Sequence, residues 1–86
     1  MYKIRFSKDA GKYLKKLDNK TKERIKKSLL ILSRNPYDRS LDIKKLAGFK
    51  DSYRLRIGKY RALYKIFKNE LVIFIFELDS RGDVYK

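Results

Sequence analysis

The sequence contains no cysteine and no histidine. Without cysteine no disulfide can staple a small fold, and without either residue no Cys/His cluster can hold a structural zinc. No metal or other cofactor is expected. Imidazole, the usual proton-transfer group near neutral pH, is also missing. Any acid–base chemistry must therefore use other side chains. Proline occurs once, at Pro36, and glycine four times, so no linker or low-complexity stretch divides the chain. Long apolar runs are lacking too. The longest, Leu71 to Phe76, is far too short to span a bilayer and reads as a buried strand. The opening MYKIRFSKDA holds no apolar stretch, so no signal peptide is expected. Together these absences predict one domain over residues 1–86, in a reducing cytoplasm, that builds its core by packing alone.

Acidic residues are scarce as well. Lys and Arg number 24 against 10 Asp and Glu, a formal net charge of +14 over 86 residues. Such an excess costs self-repulsion and favours a polyanionic partner, nucleic acid or an acidic protein. A solvated lysine-rich surface is the plainer explanation for any single lysine. A membrane surface is not expected, because no helix sets aromatic residues opposite its lysine face.

Tyr2, Ile4 and Phe6 alternate with Lys3 and Arg5, the period of a half-buried strand. Ser7 offers an N-cap, and Ala10, Tyr13, Leu14 and Leu17 recur at helical spacing over residues 8–17. Asp18 or Asn19 restarts a helix whose buried stripe is Ile25, Leu29 and Leu32, widened by Leu30 or Ile31. Asn35-Pro36 ends it. So short a connection predicts an antiparallel helical hairpin. Residues 37–50 show no clear period and read as a connecting loop. Strands follow over 52–57, 60–67 and 70–78, with turns at Gly58-Lys59 and Lys68-Asn69. The expected architecture is α+β: βααβββ, a twisted, mainly antiparallel four-stranded sheet with the N-terminal helical hairpin packed on one face.

The first turn carries the main inference. A two-residue loop at Gly58-Lys59 pairs Ile57 with Tyr60 and sets Arg56 opposite Arg61. Tyr53, Leu55, Ile57, Tyr60, Ala62, Tyr64 and Ile66 then face the helices, while Arg54, Arg56 and Arg61 share the other side. Like charges directly opposite one another destabilise a sheet by up to about 1 kcal/mol. The guanidinium fork matches phosphate oxygens in bidentate fashion. Three such forks on rigid strands are expected to make a phosphate clamp whose charged positions are of one sign, the alternative being a polar solvent face over which the arginines spread. Leu63, Val72, Phe74 and Phe76 share that side. Their expected role is packing beneath a C-terminal or partner segment, with a base-stacking floor as the alternative. Asp79 and Asp83 read as turn residues.

The run KLAGFKDSYRLRIGKYRALYKI, Lys45 to Ile66, resembles the central signature of the RelE/ParE toxin superfamily. There a Leu-x-Gly turn precedes a strand of alternating basic residues, a hairpin and a Tyr-Arg-x-x-Tyr strand. The ending ELDSRGDVYK is similar to the RelE branch, with an arginine and a late tyrosine after the last strand. The resemblance implies the toxin of a toxin–antitoxin pair: a ribosome-dependent endoribonuclease that cleaves mRNA in the decoding (A) site by 2′-OH attack. It implies catalytic roles for Arg54, Arg56, Arg61, Arg81 and Tyr85. Arg54 and Arg56 stand where the family commonly has lysines. It also implies a RelB-like antitoxin partner, a heterotetramer or larger assembly with it, and the ribosome and mRNA as targets. Two other readings share the signature: a ParE-like inhibitor of DNA gyrase, and a non-catalytic RNA-binding relative.

Arginine cannot act as a base, so its expected role is to stabilise charge in the transition state. Tyr85 is a candidate proton acceptor. A free phenol with a pKa of about 10 is only about 0.1% ionised at pH 7, and neighbouring guanidiniums would lower that pKa. Stacking on a base and plain anchoring of the terminus are its alternative roles.

Overall fold

Ser7 is where the chain first changes direction. Its side-chain oxygen accepts the Ala10 N–H at 3.1 Å, capping the first helix, and its hydroxyl donates to the Phe76 carbonyl at 3.1 Å, tying that helix start to the last strand. These contacts come from a computed structural model that describes residues 1–80. The elements are β1 (Lys3–Phe6), α1 (Lys8–Lys16), α2 (Asn19–Arg34), β2 (Asp42–Lys45), β3 (Ser52–Ile57), β4 (Tyr60–Phe67) and β5 (Val72–Ser80). Asp18 caps α2 by accepting the Thr21 N–H at 3.2 Å. Its interior is rich in Lys, Arg and Leu, good helix formers.

The sheet has five strands in the order β1-β5-β4-β3-β2, one more than expected. β1 runs parallel to β5, and every other pairing is antiparallel. The additional strand is β2, which lies inside the 37–50 segment read from sequence as a loop. It pairs Asp42 with Arg56 and Ile43 with Leu55. The last strand also starts and ends later than expected, at Val72 and Ser80. Its turn takes in Leu71, held at φ +54°, a conformation that strains an L side chain other than Asn or Asp.

The Gly58 hairpin has the expected register, Ile57 opposite Tyr60 and Arg56 opposite Arg61. Gly58 sits at φ +60°, as the first central residue of a type II′ turn requires. A Cβ there would also lie 2.8 Å from Arg24 Nη1.

Helix α1 lies on β5 and β1, and α2 on β1 and β3. The core joins Ala10, Ile25, Leu29 and Leu32 from the helices to Leu55, Ile57, Ala62, Tyr64, Ile66, Ile73, Ile75 and Leu78 from the sheet. Neither Leu30 nor Ile31 widens the α2 stripe, as both are exposed. Ser33 takes that place, its hydroxyl donating to the Leu30 carbonyl at 2.7 Å. Tyr64 is fully buried and stacks on Tyr53 at 5.8 Å between ring centres. Burial pushes its phenol pKa up, and its hydroxyl has no partner among the described residues.

The β4–β5 ladder departs from regular pairing at one point. Between Leu63 and Tyr64 its register shifts, so that Leu63 faces Glu77 while Tyr64 faces Ile75. Phe76 is the extra residue of a β-bulge, and its freed carbonyl is the one that Ser7 takes.

Candidate nucleic-acid interface

The helices leave the second face of the sheet uncovered. Partner residues on adjacent strands project to the same side, so the register lays that face out in rows. One row reads Asp42, Arg56, Arg61, Asp79 across β2, β3, β4 and β5. The next reads Lys44, Arg54, Leu63, Glu77. Arg54, Arg56 and Arg61 therefore meet on one rigid surface, as their alternation predicts. Arg81 and Tyr85 lie outside the described residues.

The expectation of a single sign of charge on this face is not met. Arg54 Nη2 donates to Asp42 Oδ1 at 2.9 Å, and Arg61 Nε donates to Asp79 Oδ1 at 2.9 Å. Glu77 Oε2 lies 3.8 Å from Arg61 Nη2. Asp79 is thus a strand residue in an ion pair and not part of a turn. The acids stand at the two ends of the arginine row, where they offset the Arg56–Arg61 repulsion. Arg56 itself is exposed and makes no ion pair among the described residues.

The two paired arginines differ in their surroundings. The Arg54 side chain is 16% exposed and the Arg61 side chain 31%. Arg54 Nε is buried without a partner among the described residues, and its guanidinium is held through Asp42. Arg61 has two carboxylates beside it. Exposed pairs of this kind contribute only about 0–1 kcal/mol. The carboxylates consequently orient the guanidiniums without holding them against a more highly charged competitor.

Glu77 is the titrating group of interest. Burial, together with a hydrogen bond and charge repulsion from Asp79, raises its carboxyl pKa above the ordinary 4.5, and Arg61 only partly opposes this. The folded state therefore holds the Glu77 proton more tightly than the unfolded chain does. The resulting stability is present below pH 4.5 and is lost as pH rises through the raised value. Glu77→Gln imitates the protonated form. It is expected to raise the melting temperature at pH 7 and leave it unchanged at pH 4, read by thermal melts at both. Equal stabilisation at the two pH values would contradict this account.

Sequence reasoning missed Asp42, Glu77 and Asp79. The Leu41-Asp42-Ile43-Lys44 alternation was the available signal for the first. The other two follow only once the bulge is known. It also missed Phe49, which stands 64% exposed on the loop between β2 and β3.

A second, apolar groove of about 270 Å³ lies on the helical side, between Ile4 and Phe6 of β1, Leu14 of α1 and Leu29 and Leu30 of α2, with Lys26 at its rim.

The family model for the ParE toxin of type II toxin–antitoxin systems matches residues 4–85. A curated relative from Methanocaldococcus jannaschii, carrying the name toxin RelE1, is 31% identical over 99% of this chain and 96% of its own length. Among solved structures, the RelE–RelB complex of the archaeon Pyrococcus horikoshii superposes with a TM-score of 0.81 at 32% identity, covering 94% of this chain and 96% of that one. The isolated Escherichia coli RelE toxin superposes at 0.80 with 27% identity, covering 99% and 92%. With the same two-helix, mixed-sheet fold and matches over nearly its whole length, the chain belongs to the RelE/ParE superfamily of type II toxin–antitoxin toxins, as a RelE-like toxin.

Proposed function

We propose that the protein is a ribosome-dependent endoribonuclease that cleaves mRNA in the decoding site and so inhibits translation in the cytoplasm. The observation that carries this reading is the juxtaposition of Arg56 and Arg61, with Arg54 beside them, on the uncovered face. A fold gains no stability from opposing like charges at that spacing. A phosphodiester gains a rigid set of forked donors.

On this reading an RNA phosphate displaces Asp42 and Asp79 from their arginines. The exchange costs little, because each pair is partly exposed. The ribose 2′-OH attacks the adjacent phosphorus, the bond from phosphorus to the 5′ oxygen of the next nucleotide breaks, and the arginines stabilise the charge that gathers on the phosphoryl oxygens and on that leaving oxygen, which takes its proton from solvent. Arg81 and Tyr85 complete the set, Tyr85 in its ionised form as acceptor of the 2′-OH proton. Much of the rate comes from the ribosome holding the message in line, so that the toxin adds a clamp and charge neutralisation.

Relatives crystallised as RelE–RelB complexes support an antitoxin as the partner of this chain. The groove beside Ile4, Phe6 and Leu29, rimmed by Lys26, suits an acidic amphipathic helix that lays its apolar face inward. The assembly proposed is a heterotetramer or larger.

The ParE family match keeps a second reading in play, inhibition of DNA gyrase. One experiment separates the two. Purified protein is added to ribosomes programmed with a defined message, to the same message without ribosomes, and to a gyrase supercoiling reaction. Cleavage confined to the ribosomal message is expected. Inhibited supercoiling with intact message would favour the gyrase reading, and equally fast cleavage of naked RNA would overturn the role given to the ribosome.

A further inference from the structure

The uncovered face does more than gather arginines. Where the rows end, a groove of about 550 Å³ opens between the β2–β3 loop and strands β4 and β5. Its apolar lining is Leu46 and Phe49 from the loop, Leu63 from β4 and Phe76 from β5. Leu63 stands in the same row as Arg54 and Glu77, so the groove begins one residue from the arginine clamp. Lys50 and Lys65 lie along its rim.

Two backbone features place its aromatic residues. The loop carrying Phe49 is closed by a Leu46 N–H to Ser52 carbonyl hydrogen bond of 2.9 Å and turns through Gly48 at φ +81°. At its far end, the Asp51 carbonyl accepts the Ile66 N–H at 2.9 Å. Phe49 is thus 64% exposed on a braced loop, away from a core that it would otherwise join. In β5, Phe76 is the bulge residue, lying between Ile75, which faces Tyr64, and Glu77, which faces Leu63. The result is a groove that holds two aromatic rings, two lysines and Glu77, next to the arginine rows.

We infer that this slot is a nucleobase site that takes one unpaired base of the RNA whose phosphate lies on the arginine rows. Its size falls in the range of small-molecule sites rather than of protein interfaces. Its two lysines outnumber the Glu77 carboxylate, which suits a polyanion and not a lipid tail. A flat π-system is the occupant that exposed aromatic rings favour, and stacking of this kind is tolerant of sequence. The inference rests on RNA being the ligand, as proposed above, but not on cleavage.

The test is equilibrium binding of a short single-stranded RNA to the intact protein, followed by fluorescence anisotropy at fixed salt. A matched RNA lacking its bases serves as the second probe. Phe49→Ala is expected to weaken binding of the ordinary RNA about tenfold, a typical loss for one stacked base. It should leave the abasic RNA bound as by the wild type, and Phe49→Tyr should restore affinity. Because Phe49 is largely exposed, the variants should fold, and a thermal melt checks this. Unchanged affinity for the ordinary RNA, or an equal loss for both RNAs, would overturn the nucleobase site. Failure of the wild type to bind either RNA would overturn it together with the RNA reading of the whole face. Base-dependent binding without ribosomal cleavage would overturn the nuclease proposal alone.

Discussion

Arg61→Ala should abolish most ribosome-dependent cleavage, lowering the rate by about 10²–10³-fold, the usual loss when one preorganised donor to a developing oxyanion is removed. Arg61 is the arginine best placed for that part. Its Nε is fixed 2.9 Å from Asp79 while its side chain keeps 31% of its surface open, so it is both oriented and reachable. Arg54 is deeper, and Arg56 has no carboxylate partner to orient it among the described residues. Loss of activity should not bring loss of fold. The substitution removes partly exposed ion pairs with Asp79 and Glu77 and also the repulsion from Arg56 directly opposite, small effects of opposite sign. Arg61→Lys keeps the charge but loses the planar fork, and should fall between the two. The measurement is single-turnover cleavage of a programmed message beside a thermal melt. Full activity in Arg61→Ala would remove the clamp from the mechanism. Lost activity accompanied by a large fall in melting temperature would assign Arg61 to the fold.

How much of this surface was legible in the sequence depended on how local its causes were. The Gly58-Lys59 turn is a short-range signal, and counting outward from it predicts the Arg56–Arg61 pairing that the sheet contains. Ser7 and Asp18 announce their helices for the same reason, since a capping side chain acts within three residues. Strand β2 was not legible in this way. Its four residues, Asp42-Ile43-Lys44-Lys45, lie at the sheet edge and bury little. A short polar edge strand is set by its partner and carries too few apolar positions to show a period. The acids opposite the arginines depended on a still less local event. The pairing at the far end of the β4–β5 ladder, Phe67 with Val72, would by plain counting bring Leu78 opposite Arg61. The bulge at Phe76 moves the count by one, so that Asp79 meets Arg61 and Leu78 drops into the core. A shift of one residue exchanges the two faces of a strand. One inserted residue therefore accounts for the mixed charge of the face and for the burial of Leu78.

That division between faces leads to the largest stability effect expected. Leu32 is fully buried at the interface of α2 with the sheet. Leu32→Ala removes three carbon atoms from a packed site and leaves a cavity, at a cost of about 2–5 kcal/mol. For a domain of this size each kcal/mol moves the melting temperature by about 4–8 °C, so a fall of at least about 8 °C should appear in a thermal melt. Total stabilities run to only about 5–15 kcal/mol, so a loss at the upper end would leave the protein partly unfolded at physiological temperature. Leu30→Ala is the control on the same helix. Leu30 is 48% exposed, and its truncation should cost well under half as much. The functional consequence is the sharper test of the architecture. Leu32 lies on the helical side of the sheet and the arginine rows on the other, so the two should be energetically independent wherever the fold persists. At a temperature low enough to keep Leu32→Ala folded, cleavage per folded molecule should equal that of the wild type. A specific defect there, at full foldedness, would mean that the helix seat also shapes the open face. The arginine rows would then not be the rigid, self-sufficient surface that their strand register implies.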